Sequence, residues 1–162
     1  MEHLYQRERC SMTYTVEDLS MSTLEWFVGT AGVNMLVDEY KRPELLDYAT
    51  LYGLGSKMMG EGTGFVVKAD GEPVGAIGAL LVPNIFNPKY KTLAEIFWYV
   101  LPDYRDTRAG AMVLNAFDKR AGELADAATL SLLSSSKVNI QTLAKRGYML
   151  QELGFVKNFK ET

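Results

Sequence analysis

The chain has 162 residues, with 17 lysines and arginines against 20 aspartates and glutamates, so it has the length of one domain and a formal net charge of −3. A domain of this length buries roughly 68–70% of its unfolded surface, enough for a core without staples, and the single cysteine, Cys10, excludes an intramolecular disulfide framework. The acidic balance lacks the basic face that binding to phosphate backbones needs, and no apolar run approaches the ~20 residues that span a bilayer, so neither nucleic acid nor a membrane is an expected partner.

The N-terminal stretch MEHLYQRERC has no apolar leader pattern, and with the lone thiol it fits a soluble, cytoplasmic protein; Cys10 itself reads as structural or incidental. His3 to Cys10 is expected to form a first strand. TVEDLSMSTLEWFV then has the pattern of a capped helix, with Thr15 as N-cap and Asp18 three residues on. Residues 34–59 predict one or two further helices broken near Pro43, whose ring removes a backbone donor.

The pattern changes at Gly64. GFVVKADGEPVGAIGALLV predicts two strands joined at Asp70-Gly71, a composition suited to a two-residue hairpin turn. PNIFNPKYK, residues 83–91, is a loop by its prolines and asparagines, and TLAEIFWYVL, residues 92–101, is a β-branched and aromatic strand ended by Pro102. A helix follows YRDTRAG and runs to about Leu124, with Met112, Val113, Ala116, Phe117, Ala121 and Leu124 at helical spacing. ATLSLLSSS (128–136) predicts a strand, NIQTLAKRGYMLQELG a helix and FVKNFK a last strand. Strand, helix and strand in the middle require a crossover, while the hairpin before them is antiparallel. The expected fold is α/β, with a mixed, largely antiparallel central sheet and flanking helices in one domain spanning the chain.

The start of the helix near residue 109 has its own chemistry. Ala109, Gly110 and Ala111 are small, and the first amides of a helix have no acceptor within it, so a ligand can approach the backbone there and an anion is the ligand it suits. The turn leading into it carries Arg105, Asp106, Thr107 and Arg108.

Over roughly residues 64–158 the sequence resembles the GNAT superfamily of N-acetyltransferases. Tyr99-Val100-Leu101-Pro102 stands like the aromatic-valine-x-proline end of that family's central strand, and Arg105 to Gly110 like its glycine-containing phosphate loop, with Arg108 in the place of the usual first glycine. Leu153-Gly154-Phe155-Val156 resembles the Gly-Phe at the family's last helix-to-strand junction.

The resemblance implies an acyl-CoA N-acyltransferase fold, acetyl-CoA as cosubstrate, no metal, and a primary amine as acceptor. It further implies that Arg105, Asp106, Thr107, Arg108, Ala109, Gly110 and Ala111 hold the pyrophosphate. The main chain of Tyr99, Val100 and Leu101 would support the thioester, and Asn139 would also contact the cofactor. If residue 108 keeps a negative φ the loop still works, and its guanidinium adds a phosphate contact that glycine lacks.

Acetyl transfer needs a neutral amine, so a base must take a proton. Glu95 is the one carboxylate in the apolar run Leu93–Leu101, and it resembles the carboxylate that several family members place on this strand as base; the alternative is a solvated or ion-paired strand-start glutamate. For the acid, the family's usual tyrosine position is Leu150 here, and Tyr148, two residues earlier, is the candidate, set against a packing tyrosine. Ser134, Ser135 and Ser136 suit either pantetheine contact or capping of the next helix. The one histidine, His3, offers no metal set or catalytic dyad.

The competing function is a noncatalytic protein of the same fold that binds a partner, of a kind a virus could encode; it is favoured by the missing tyrosine and the altered glycine. The acceptor's identity and the oligomeric state, with a homodimer among the options, stay open.

Overall fold

The computed structural model describes residues 11–160, so the strand expected at His3–Cys10 lies outside the described residues. Asp70 and Gly71, with φ of 47° and 85°, close a two-residue turn in which both residues need the left-handed region. The turn sets β2 (Gly64–Ala69) antiparallel to β3 (Glu72–Pro83), and β4 (Lys91–Val100) returns antiparallel beside β3.

The first departure from the sequence reading is at 14–18. Thr15 does not cap a helix; Tyr14–Asp18 is strand β1, paired antiparallel to β2 from Tyr14↔Ala69 to Asp18↔Phe65. The hairpin supplies a ladder that a local capping signal cannot match, and the Lys68 ammonium meets the Glu17 carboxylate across the strands at 2.9 Å. Helix α1 (Met21–Trp26) starts one turn later, with Ser20 as N-cap and its N–H donating to Thr23 Oγ1 at 3.2 Å. The five strands lie in the order β1-β2-β3-β4-β5, and β5 (Ala127–Thr129) is parallel to β4, so the sheet is mixed and largely antiparallel as expected.

From α1 the helical path continues through two π-type segments, Phe27–Gly32 and Met35–Glu39. The Tyr40 N–H donates to the Met35 carbonyl five residues back at 2.8 Å. After a 3₁₀ turn at Pro43–Leu45, where the break was expected, α2 (Tyr48–Glu61) begins with Asp47 accepting the Thr50 N–H at 3.1 Å. These helices cover one face of the sheet, with Leu24, Phe27, Val28, Met35 and Met58 clustered on Val66, Ala76, Phe97 and Tyr99.

The opposite face holds α3 (Ala109–Leu124), whose Val113, Leu114, Phe117 and Ala121 are buried; Leu124 is exposed. Arg120 on α3 donates to the Gly62 carbonyl, pairs with Asp18 at 3.3 Å and lies over the Phe65 ring. It thereby joins the ends of α2, β1 and β2.

The chain divides into two compact units, 1–131 and 132–162. In the second, the helix expected over 139–154 is only α4 (Ile140–Lys145), capped by Asn139, whose side chain accepts the Gln141 N–H at 2.9 Å. Gly147, with φ of 92°, stands where the chain leaves the helix, so Gly154 terminates nothing. The strand expected at 128–136 is limited to β5. Residues 155–160 form no strand, and Phe155 and Phe159 are exposed.

Gly78 on β3 marks the tightest packing between sheet and helices. A Cβ there would lie 2.7 Å from Met58 Sδ and 2.8 Å from Phe27 Cζ, so Gly78→Ala should destabilise the fold by about 1–3 kcal/mol in denaturant unfolding. A variant as stable as the parent would show that this interface has slack.

Candidate functional site

The site is built where β4 leaves regular pairing. On the β3 side, Phe97 pairs with Gly78 and Glu95 with Ala79, so Ile96 is an extra residue and bulges out of the ladder. On the other side, β5 pairs only with Thr92, Leu93 and Ala94. Beyond that point the Ser131 N–H donates to the Glu95 carboxylate at 3.2 Å instead of to the β4 backbone.

Glu95 is half-buried, and removal from water pushes its carboxyl from its ordinary 4.5 up to about 7, with the Ser131 N–H pulling the other way. Tyr40, at the end of the second π-type segment, is close enough that the Glu95 charge adds to burial in raising its phenol. Sequence reasoning did not find Tyr40, because only the wide π turns bring it to Glu95.

A cavity of about 310 Å³ lies between the π-type segments, α2 and the bulge, walled by side chains including Phe27, Met35, Leu54, Met58, Ile96 and Phe97. Tyr40, Asp47 and Thr50 are the polar side chains on its wall.

At the other end of β4, the 3₁₀ turn Pro102–Tyr104 feeds the start of α3. Arg108 has φ of −74°, as the loop requires, and its guanidinium lies over the Tyr14 ring at 5.2 Å. Thr107 Oγ1 donates to the Tyr104 carbonyl at 2.6 Å and accepts the Ala109 N–H at 3.2 Å. That leaves Gly110 and Ala111 as the first-turn amides for which the helix offers no internal acceptor. Beside Gly110 lies the indole of Trp98, and its Nε1–H is, among the described residues, the buried side-chain donor without a partner. A phosphate-bearing ligand fits the start of the helix, since it supplies acceptors to the Gly110 and Ala111 amides, whereas the indole N–H is closed off from a ligand by the packing around it.

Several of the expected residues have partners within the protein. Arg105 Nε donates to the Val100 carbonyl at 2.9 Å and its Nη2 to Glu39 at 2.5 Å, while its guanidinium lies over the Tyr99 ring. The Val100 carbonyl is therefore already bonded, and the Leu101 N–H donates to Val74 at 2.8 Å. Tyr99 is buried, its hydroxyl accepting from Asn34 Nδ2 at 3.3 Å. Asp106 is exposed. In the second unit, Tyr148 follows the end of α4 and donates its N–H to the Leu143 carbonyl at 3.1 Å, so the helical offset expected from Gly154 does not apply to it. Ser136 Oγ accepts the Val138 N–H at 3.2 Å, a local capping bond.

The family model described as Acetyltransferase (GNAT) family matches residues 31–155. The chain belongs to the GNAT acetyltransferase family. Comparison by sequence with curated proteins gives no match.

Solved structures share the fold at low identity. A transcriptional regulator from Bacillus halodurans C-125 is 14% identical with a TM-score of 0.68, over 91% of this chain and 100% of that one. The aminoglycoside acetyltransferase meta-AAC0020 from an uncultured soil metagenomic sample, in complex with trehalose, is 15% identical with a TM-score of 0.64, over 91% and 97%. AAC(6')-Iy in complex with the bisubstrate analog CoA-S-monomethyl-acetylneamine is 14% identical with a TM-score of 0.63, over 93% and 99%. The GNAT fold thus accounts for the mixed sheet with helices on both faces.

The raised Glu95 carboxyl has a sign that can be checked. The folded state holds this proton more tightly than the unfolded chain, so Glu95 should make stability fall as pH rises from about 4.5 to about 7. Denaturant unfolding across that range should show a shallower decline for Glu95→Gln than for the parent; parallel curves would place the Glu95 titration near its ordinary value.

Proposed function

We propose that this GNAT protein transfers the acetyl group of acetyl-CoA to a primary amine. The observation that carries the reading is Glu95, a half-buried carboxylate with a pKa of about 7, held by the Ser131 N–H where β4 and β5 part. A base poised there is in its accepting form for much of its time at neutral pH, and an amine must shed a proton before its lone pair can attack.

Acetyl-CoA, when bound, supplies the acyl group as a thioester. The amides of Gly110 and Ala111 would donate to its phosphate oxygens, with Arg108 adding positive charge. Arg105 supports the same place indirectly, tying the end of β4 to Glu39. Glu95 takes the proton of the incoming amine. Protonation of the departing thiolate falls to water, with Tyr148 as the side-chain candidate. The bisubstrate analogue bound by AAC(6')-Iy supports the pairing of a CoA moiety with an amine-bearing acceptor on this fold.

A second reading, a noncatalytic partner-binding protein of the same fold, has Arg105 behind it, since its guanidinium is spent inside the protein rather than offered to phosphate.

Calorimetric titration with acetyl-CoA separates the two. Binding that is lost in Gly110→Asp supports the enzyme; a folded protein without binding overturns it. A Cβ at Gly110 meets Trp98 Cζ2 at 3.5 Å and Val100 Cγ2 at 3.6 Å, both ordinary contacts, so lost binding in a folded variant would report the carboxylate side chain placed at the anion site. Glu95→Gln should keep acetyl-CoA affinity and lower turnover by roughly 10²–10⁴-fold, with the acid limb of the rate profile near pH 7 removed. Tyr148→Phe should cost less than about tenfold, a loss at the low end for a general acid. A larger loss would assign Tyr148 the acid.

A further inference from the structure

The cavity beside Glu95 has a chemistry that acetyl transfer alone does not require. Its wall is almost wholly apolar, from Phe27 and Met35 on the first helical path, through Leu54 and Met58 on α2, to Ile96 and Phe97 on β4. Asp47, the carboxylate on that wall, caps α2, its Oδ2 accepting both the N–H and the hydroxyl of Thr50. Those two bonds hold its pKa below the usual carboxylate value and leave it tied to the helix end. The polar groups of the wall are Tyr40, Asp47 and Thr50; Glu95 is not itself a wall residue, but Tyr40 shares its field and Ile96 of the wall is the next residue after it, so the Tyr40 side is the polar end that faces Glu95.

Asp47 is the one carboxylate this wall offers, so an acceptor with several ammonium groups would have to strip water from more charges than the wall can pair. A monoamine with an apolar body meets no such cost: its amino group stays at the polar end and its body displaces water from apolar surface. We infer that the cavity receives the apolar body of the acceptor, and that the acceptor class is a monoamine carrying an aryl or comparably bulky alkyl group on a short linker. The inference rests on the acetyltransferase reading and adds to it the property by which acceptors are chosen. Tyr40 and Glu95 set where the nitrogen sits, and the bulged Ile96 together with Leu54 sets what is attached to it.

The test has one readout that does not depend on turnover. Met35 and Met58 line the cavity, so methyl-labelled methionine resonances report its occupancy in the intact protein. Phenethylamine should shift both resonances saturably, while spermidine, neamine and ethylamine should leave them in place. With acetyl-CoA present, phenethylamine should be acetylated with a kcat/KM at least tenfold above those of ethylamine and spermidine.

Leu54→Phe, which fills the cavity, should reduce that preference over ethylamine tenfold or more. Should it fail to fold, Ile96→Thr, at a partly exposed position, should reduce it in the same direction. Unshifted methionine methyls in the presence of phenethylamine overturn the inference, as does preferred acetylation of spermidine, neamine or a peptide α-amino group. Shifted methyls with no transfer to any amine uphold the apolar-amine site and overturn the enzymatic reading instead.

Discussion

The site depends on one irregularity of backbone pairing, the extra residue that β4 carries between Phe97 and Glu95. In an unbroken strand Glu95 would share a face with Phe97 and Tyr99 and point into the cluster around Phe27, where an unpaired carboxylate is costly. The bulge at Ile96 offsets the alternation by one. Glu95 then meets the Ser131 amide at the β5 edge, Phe97 keeps its place 4.8 Å from the Phe27 ring, and Ile96 turns to the cavity wall. The Glu95–Ser131 contact, the cavity wall and the core packing all follow from that single inserted residue.

The same point divides the sheet. β5 follows β4 for three residues and then releases it, so the ladder that binds the sheet together stops where the chemistry starts. A longer β5 would have been a better strand and a worse site, because its amides would be spent on the β4 backbone rather than on the Glu95 side chain. Opposite this edge, Arg120 holds α2, β1 and the far end of α3 together.

What the sequence made legible was local. Asp70-Gly71 prescribes its own turn, and the apolar spacing from Val113 to Ala121 prescribes the buried face of α3. The stretch at 14–18 was read as helix because Thr15 and Asp18 imitate a cap, whereas its structure is decided by Lys68 and the rest of β2, fifty residues away. The same blindness to distant pairing extended β5 to Ser136, where β4 offers no partner beyond Ala94. In the site, Glu95 was visible as the one carboxylate in an apolar run. Trp98 was not, because its indole is orphaned only by the packing of α3, and Tyr40 was not, because its position depends on helical turns wider than 3.6 residues. Arg105 was visible by its charge, while its engagement with the Val100 carbonyl and Glu39 is a matter of tertiary geometry.

Those wide turns carry a consequence for descent. A π-type segment holds a residue more than the α-turn it replaces, so loss of one codon within Phe27–Gly32 or Met35–Glu39 would restore α-helical spacing and swing every later side chain of that path by about 100°. Tyr40 would leave Glu95, and the wall residues that follow the deletion on that path would turn away from the cavity, while β4 and the start of α3 stayed untouched. The shape of the cavity in such a lineage is therefore heritable as chain length as well as residue identity, and alignments that close one-residue gaps in this helix would erase the record of it.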